Sequence, residues 1–521
     1  MGNSVDRIYT NGNIITLREE SPSVEAVLVR AGRILYTGSL TEATARSDGK
    51  AVVHDLEGHT LIPGFNDNHL HTISFGSRAA MPSLADKNAK EIVDVLEEYY
   101  SEHPDLEFLF AFDWDYPSCP NPHRDILDDL FPNIPVFLIQ FSGHAVWFNT
   151  EGLKAAKLLR GGKHGAAEVL VDKNGSPTGI VREGFSTRGV RNLIRRQFTD
   201  PELIRDGLLS ALSGLAKAGI TSVQDNTWLK KPVTVLKELK EEGLLTCRYS
   251  CWPMADIPLL PRWVETAKYD EEWYHLGPWK HFIDGAFSSH SAWLFEEYAD
   301  EPGNFGSGKP SQQLVKRLRG HVRARRQAAY HSIGDRACAE FCDAVELLQK
   351  RYPWTKELRF RIEHGQLIRK EDMGRMADLG ILVCAQPPAL INPEKDRMIL
   401  GEKRAARAYP YRSLIDTGVN LSFGSDYPGE AFYDPIRAIH LVVNRDGAEG
   451  ISAHEALRCY TAGSAYAEKK EDVKGEISKG KYADFAVLSE DILTVPSPDI
   501  EKVRVVETIV DGKSVYAEKT G

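Results

Sequence analysis

Eight short apolar runs, each closing on small, polar or charged residues, recur along the chain and leave few folds open to it: LIPGFNDNHLH at 61–71, GITSVQD at 219–225, CRYSCW at 247–252, WKHFIDG at 279–285, QAAYHSIG at 327–334, FRIEHGQ at 360–366, ILVCAQP at 381–387 and LSFGSD at 421–426. Each reads as a strand. Between them lie segments with apolar residues at helical spacing, such as SQQLVKRLRGHVRARRQ, RACAEFCDAVELLQKRY and RKEDMGRMADLG. Eight strands alternating with helices predict an α/β fold, a (β/α)8 TIM barrel, in which working side chains gather at the carboxyl ends of the strands.

Six residues stand at those ends: His69 and His71 on the first run, then Lys280, His331, His364 and Asp426 on the fourth, fifth, sixth and eighth. The His69/His71 pair is the sharpest element, because alternate residues of a strand face the same way and two imidazoles there can grip one cation. Imidazole suits zinc and its first-row neighbours, and ligands from other strands would leave a position open for water. An isolated His-x-His is weak evidence, since two half-exposed surface histidines look the same. Four more such residues at strand ends turn the balance toward a metal-dependent hydrolase.

The motifs are PGFNDNHLH at Pro63–His71, GHAVWFN at Gly143–Asn149, KHFIDG at Lys280–Gly285, HSIGDRA at His331–Ala337, IEHGQ at Ile362–Gln366, GSDYP at Gly424–Pro428 and GEISKGKYADFAVL at Gly475–Leu488. In content and order this series resembles the amidohydrolase superfamily, and within it the YtcJ-like group, which includes N-substituted formamide deformylases. The resemblance implies a small-molecule amide-like substrate and one or two divalent ions, zinc first. It makes His69, His71 and Asp426 ligands of the more buried ion, and His331 and His364 ligands of a second. Lys280 matches the bridging lysine that superfamily members carboxylate to a carbamate. The implied chemistry is cleavage of a C–N bond, of the non-peptide amide or N-substituted formamide type, through a metal-activated hydroxide. Asp426 would shuttle the proton, with His331 and His364 helping to polarise the carbonyl. Two alternatives stay open: an ester, lactone or phosphoester hydrolase on the same site, and a non-catalytic ligand-binding protein that retains the fold.

The domain reading has three parts. Residues 61–75 and 206–474 form the barrel. Segment 76–205 is too long for one crossover and reads as an inserted subdomain leaving directly after the His-x-His strand, so it is expected to cover the barrel mouth. His144 is the leading substrate-binding candidate there, followed by Trp147 and Asp113. His290, in the loop after the Lys280 strand, is a fourth, and Arg78, Arg182 and Arg361 are candidate anion contacts. Residues 1–60 and 475–521 carry strand-like runs with Asn-Gly and Asp-Gly turns and are expected to meet in a composite β-sandwich. Glu363 precedes His364 and is expected on the other side of its strand, in a structural role.

Composition excludes more than it identifies. A formal charge of -10 over 521 residues offers no cationic surface for nucleic acid. No apolar run approaches the roughly 18 residues of a membrane span, and MGNSVDRIYT lacks the apolar core of a signal peptide. Seven scattered cysteines read as reduced thiols, so a cytoplasmic location is expected, with a homodimer as the default assembly.

Overall fold

The computed structural model describes residues 5–78, 81–141, 143–197, 201–226, 230–255 and 268–518. It is an α/β fold in which two all-parallel sheets carry the centre of the chain. One runs Tyr274–Leu276, Arg248–Cys251, Ile220–Asp225 and Phe65–Leu70 in spatial order; the other runs Trp279–Phe282, Ala328–Ser332, Arg361–His364, Leu382–Ala385 and Leu421–Phe423. Helices Ser311–Ala324, Asp335–Arg351 and Lys370–Leu379 follow the expected patterns and bury Leu314, Leu318, Phe341, Val345 and Met376 against the sheets. Lys280 N–H donates to Pro253 O at 2.9 Å at one junction of the sheets, and Asp426 N–H donates to His69 O at 2.6 Å at the other. The three-residue strand Tyr274–Leu276 was not expected, because so short a run carries no period.

LIPGFNDNHLH is two strands. Thr60–Pro63 pairs with Asn13–Arg18 and Phe485–Leu488, whereas Phe65–Leu70 joins the parallel sheet beside Ile220–Asp225. Gly64 makes the switch: a Cβ there would lie 2.2 Å from Thr221 Oγ1, so only glycine lets the two sheets come this close.

Both chain ends contribute to a six-stranded sheet ordered Lys513–Ala517, Val505–Val510, Phe485–Leu488, Thr60–Pro63, Asn13–Arg18 and Ser21–Val24. Beside it stands a four-stranded sheet of Arg33–Gly38, Ala26–Arg30, Arg7–Thr10 and Val52–Asp55. Tyr9, Val27, Leu61, Phe485 and Ile509 share one buried cluster between them.

The inserted segment builds its own six-stranded sheet around Leu109–Trp114, Val136–Gln140, Ala145–Phe148 and Pro177–Arg182. The two-residue period of a strand divides its side chains between two cores. Phe110, Phe112, Phe137, Ile139, Val146 and Phe148 form one; Leu109, Ala111, Val136, Leu138, Ala145 and Trp147 form the other. Helix Ala89–Glu102, held at its start by a capping box between Asn88 and Glu91, buries Ile92 and Leu96 in the second core.

Candidate metal centre

His69 is the penultimate residue of Phe65–Leu70 and almost fully buried. Its Nδ1 lies 2.7 Å from Glu363 Oε2, and its Nε2 lies 3.0 Å from Lys280 Nζ and 3.5 Å from Asp426 Oδ1. A carboxylate there accepts a hydrogen bond from Nδ1–H, which fixes the tautomer and leaves the Nε2 lone pair facing the site. His71, one residue past the strand end, brings Nε2 to 3.0 Å from Asp426 Oδ1.

His364 ends the strand Arg361–His364 and Asp426 follows Leu421–Phe423; both adopt positive φ, +79° and +53°. That conformation is uncommon outside glycine and marks backbone bent to serve a site. It also corrects the expectation for Glu363. By parity His364 belongs with the outward-facing Ile362, but its backbone turns it into the mouth. Glu363 instead shares the inward face with Arg361, whose guanidinium lies 4.4 Å from the Trp252 ring centroid and whose Nε donates to Glu363 Oε1 at 2.8 Å. So Glu363 reaches His69 across the sheet and orients it.

Gln386 does the same for His364, with Oε1 2.7 Å from Nδ1. His331 lies against His364, ring centroids 4.3 Å apart, and its Nε2 lies 3.1 Å from Gly285 O. Asp284 accepts the N–H groups of Trp293, Ile333 and Gly334 at 2.8–3.0 Å, so it braces the loops.

Burial pushes His69, His331 and His364 well below the ordinary imidazole range, which keeps them neutral and able to donate lone pairs. It also draws the Lys280 ammonium down to about 8, although Glu363 and Asp426 pull the other way. Burial would raise Asp426, but the hydrogen bond from His71 and the Lys280 charge outweigh that and hold it below the usual carboxylate range, ionised. One ligand atom each from His69, His364 and Asp426 lies within 4.8 Å of the others. Neutral imidazoles and an anionic carboxylate at that spacing fit a divalent cation.

These residues open onto a cavity of about 1900 Å³ between the parallel strands and the insertion. Phe112, Ile139, Val169 and Phe185 line its insertion side, together with His144. His144 Nδ1 lies 3.0 Å from Glu183 Oε1, and its ring lies 4.8 Å from that of His331. Burial lowers its pKa, but Glu183 more than compensates and holds it above the ordinary value. His290 also lines the cavity, with Nε2 3.0 Å from Asp300 Oδ1.

Two expected pocket residues lie elsewhere. Trp147 points into the opposite core, against Trp114, because its strand parity differs from that of Val146 and Phe148. Asp113 is the extra residue of a bulge, with φ +82°: Phe112 pairs with Ile139 and Trp114 with Gln140, which leaves Asp113 out of register and off the cavity wall. Of the arginines, Arg361 is buried on Glu363, Arg182 donates to Glu301 at 3.3–3.4 Å, and the Arg78 side chain lies outside the described residues. Sequence reasoning missed Glu363, Gln386 and Glu183 as site residues. Each gains its role from a partner far along the chain, and no spacing rule carried that signal.

The sequence profile of the amidohydrolase family matches residues 52–516. The chain is 28% identical over 537 residues to YtcJ of Bacillus subtilis, named as an amidohydrolase, covering 98% of this chain and 99% of that one. It is 28% identical over 557 residues to the N-substituted formamide deformylase of Arthrobacter pascens, covering 99% of both. Among solved structures, an uncharacterised metal-dependent hydrolase from Pyrococcus furiosus superposes with a TM-score of 0.73 at 26% identity, covering 93% of this chain and 99% of that one.

Proposed function

Since the chain belongs to the amidohydrolase family, we propose that it is a metal-dependent hydrolase of a C–N bond outside peptides, of the amide or N-substituted formamide type. The observation that carries this reading is the meeting of His69, His71, His364 and Asp426 at one strand mouth, with Asp426 Oδ1 3.0 Å from His71 and 3.5 Å from His69. In this reading the two parallel sheets close as one (β/α)8 barrel, which the hydrogen bonds from Lys280 to Pro253 and from Asp426 to His69 support. Segment 76–205 roofs it.

His69, His71 and Asp426 would hold one divalent ion, zinc by the nature of the donors, and His331 and His364 a second. Such an ion supplies Lewis-acid polarisation of a carbonyl and a water that is acidic near neutrality. Lys280, drawn down to about 8, has an amine fraction near neutral pH that can be carboxylated; the product would give His69 an oxygen neighbour in place of a nitrogen. Asp426 accepts the proton of the attacking water at its carboxylate and returns it to the departing nitrogen. His71 holds that carboxylate, while Glu363 and Gln386 hold the imidazoles of His69 and His364. His144 reaches the substrate from the roof, aimed by Glu183. The formamide deformylase of Arthrobacter pascens supports a small amide as the substrate class.

Elemental analysis of protein purified without chelators, combined with turnover of an amide, formamide and ester panel, tests the proposal. One or two equivalents of metal, lost in His69→Ala and largely retained in Asp426→Asn, with amide or formamide turnover abolished in both, is the expected result. Metal-free protein that binds none on reconstitution, or turnover confined to esters, would reject it.

A further inference from the structure

Asn226 follows the strand Ile220–Asp225 and is 2% exposed. Its backbone N–H donates to Leu70 O at 3.1 Å, which sets it level with His71 on the neighbouring strand. The residue lines the cavity, yet its carboxamide atoms are almost wholly buried and neither Oδ1 nor Nδ2 has a hydrogen-bond partner among the described residues. A buried carboxamide left this way carries the desolvation penalty of both atoms. The cavity residues just beyond the adjoining strands, Ile73, Pro232 and Met254, offer an apolar lining.

We infer that Asn226 is a substrate-contact residue that selects amides over esters, an inference resting on the hydrolase reading above. Oδ1 accepts and Nδ2 donates, so the group is satisfied by a ligand bringing both an N–H and an acceptor beside His71. An amide brings the N–H that Oδ1 needs. An ester brings acceptors alone and would leave Oδ1 buried and unpaired, the situation in which a site built around a hydrogen bond discriminates most strongly. The Asn226 carboxamide makes no hydrogen bond to the ligand set among the described residues, so its effect is on what binds.

The test compares wild type with Asn226→Leu, a near-isosteric replacement, and with Asn226→Ala should the leucine variant fold poorly. Four quantities are measured: metal content, thermal midpoint, calorimetric affinity for N-butylacetamide and butyl acetate, and turnover of N-butylformamide and butyl formate. The expected result is unchanged metal content and an unchanged or higher midpoint. Amide affinity and formamide kcat/KM should fall about 10- to 100-fold while the ester values hold. A lower midpoint with the amide-to-ester ratio unmoved would overturn the inference and make Asn226 part of the internal scaffold. So would a wild type that binds the amide no better than the ester. A wild type that prefers the amide in binding, loses that preference in Asn226→Leu and turns over nothing would sink the hydrolase reading and leave the role of Asn226 standing.

Discussion

Buried charge is treated in opposite ways at the two ends of the parallel strands. At the amino end two buried charges meet their complements: Arg248 donates from Nε and Nη2 to Asp484 at 2.6 and 3.0 Å, and Glu468 accepts from Lys474 at 2.6 Å and Asn66 at 2.9 Å. At the carboxyl end the Lys280 ammonium meets a neutral imidazole, Nζ lying 3.0 Å from His69 Nε2, and the Asn226 carboxamide has no hydrogen-bond partner among the described residues. A closed network needs nothing further and ties elements together; its removal leaves an uncompensated charge. An open network of the same burial is costly unless something else completes it, which is how a binding site looks before its ligand arrives.

Mutation can break this contrast. The largest effect is expected from Asp426→Asn, which removes the proton carrier but keeps its shape. Steady-state kinetics should show kcat down by about 10²- to 10⁴-fold, with the unfolding midpoint barely moved. Asp484→Ala should do the reverse. Stranding buried Arg248 should cost about 3–5 kcal/mol in denaturant unfolding, while kcat per folded, metal-loaded molecule stays within a factor of two or so of wild type. Should Asp484→Ala silence the folded enzyme, the two ends are coupled and the contrast fails.

Glu363→Gln sharpens the comparison, since Glu363 belongs to both kinds of network: it is paired with Arg361 and it orients His69. Metal affinity, measured by competition with a chelator, should drop about 10- to 100-fold. The smallest effect is expected in the four-stranded end sheet. The Arg30 guanidinium, bonded to Asp6, holds that carboxyl below its usual range despite burial. A depressed folded pKa means that Asp6 stabilises the fold above the unfolded value of about 3.9. That contribution is lost as pH falls through the lower folded value. Asp6→Asn should therefore flatten the acid limb of stability below the unfolded value of about 3.9, with catalysis unaffected.

Much of the site was legible because strand chemistry is local. A run such as RIEH or LSFGSD announces a strand, and the residue at its carboxyl end announces itself by type. His144 was reachable for the same reason, as a polar residue at the start of an apolar strand. What failed was orientation wherever the backbone departs from the two-residue period. The positive φ at His364 puts Glu363 and His364 to work in the same site, and the bulge at Asp113 removes that residue from the cavity wall. Trp147 failed differently: alternation divides the insertion's side chains correctly into two sets, but nothing local says which set faces the cavity.

By itself, then, the sequence determined the alternation of strands and helices and which metal-competent side-chain types stand at the strand ends. These depend on side-chain type and on periods of 2 and 3.6 residues, which a chain carries wherever it folds. Tertiary structure alone decided who partners whom. Arg248 finds Asp484 across 236 positions and His69 finds Glu363 across 294. A hydrogen bond or ion pair depends on distance in space, and that distance exists only once the sheets have formed.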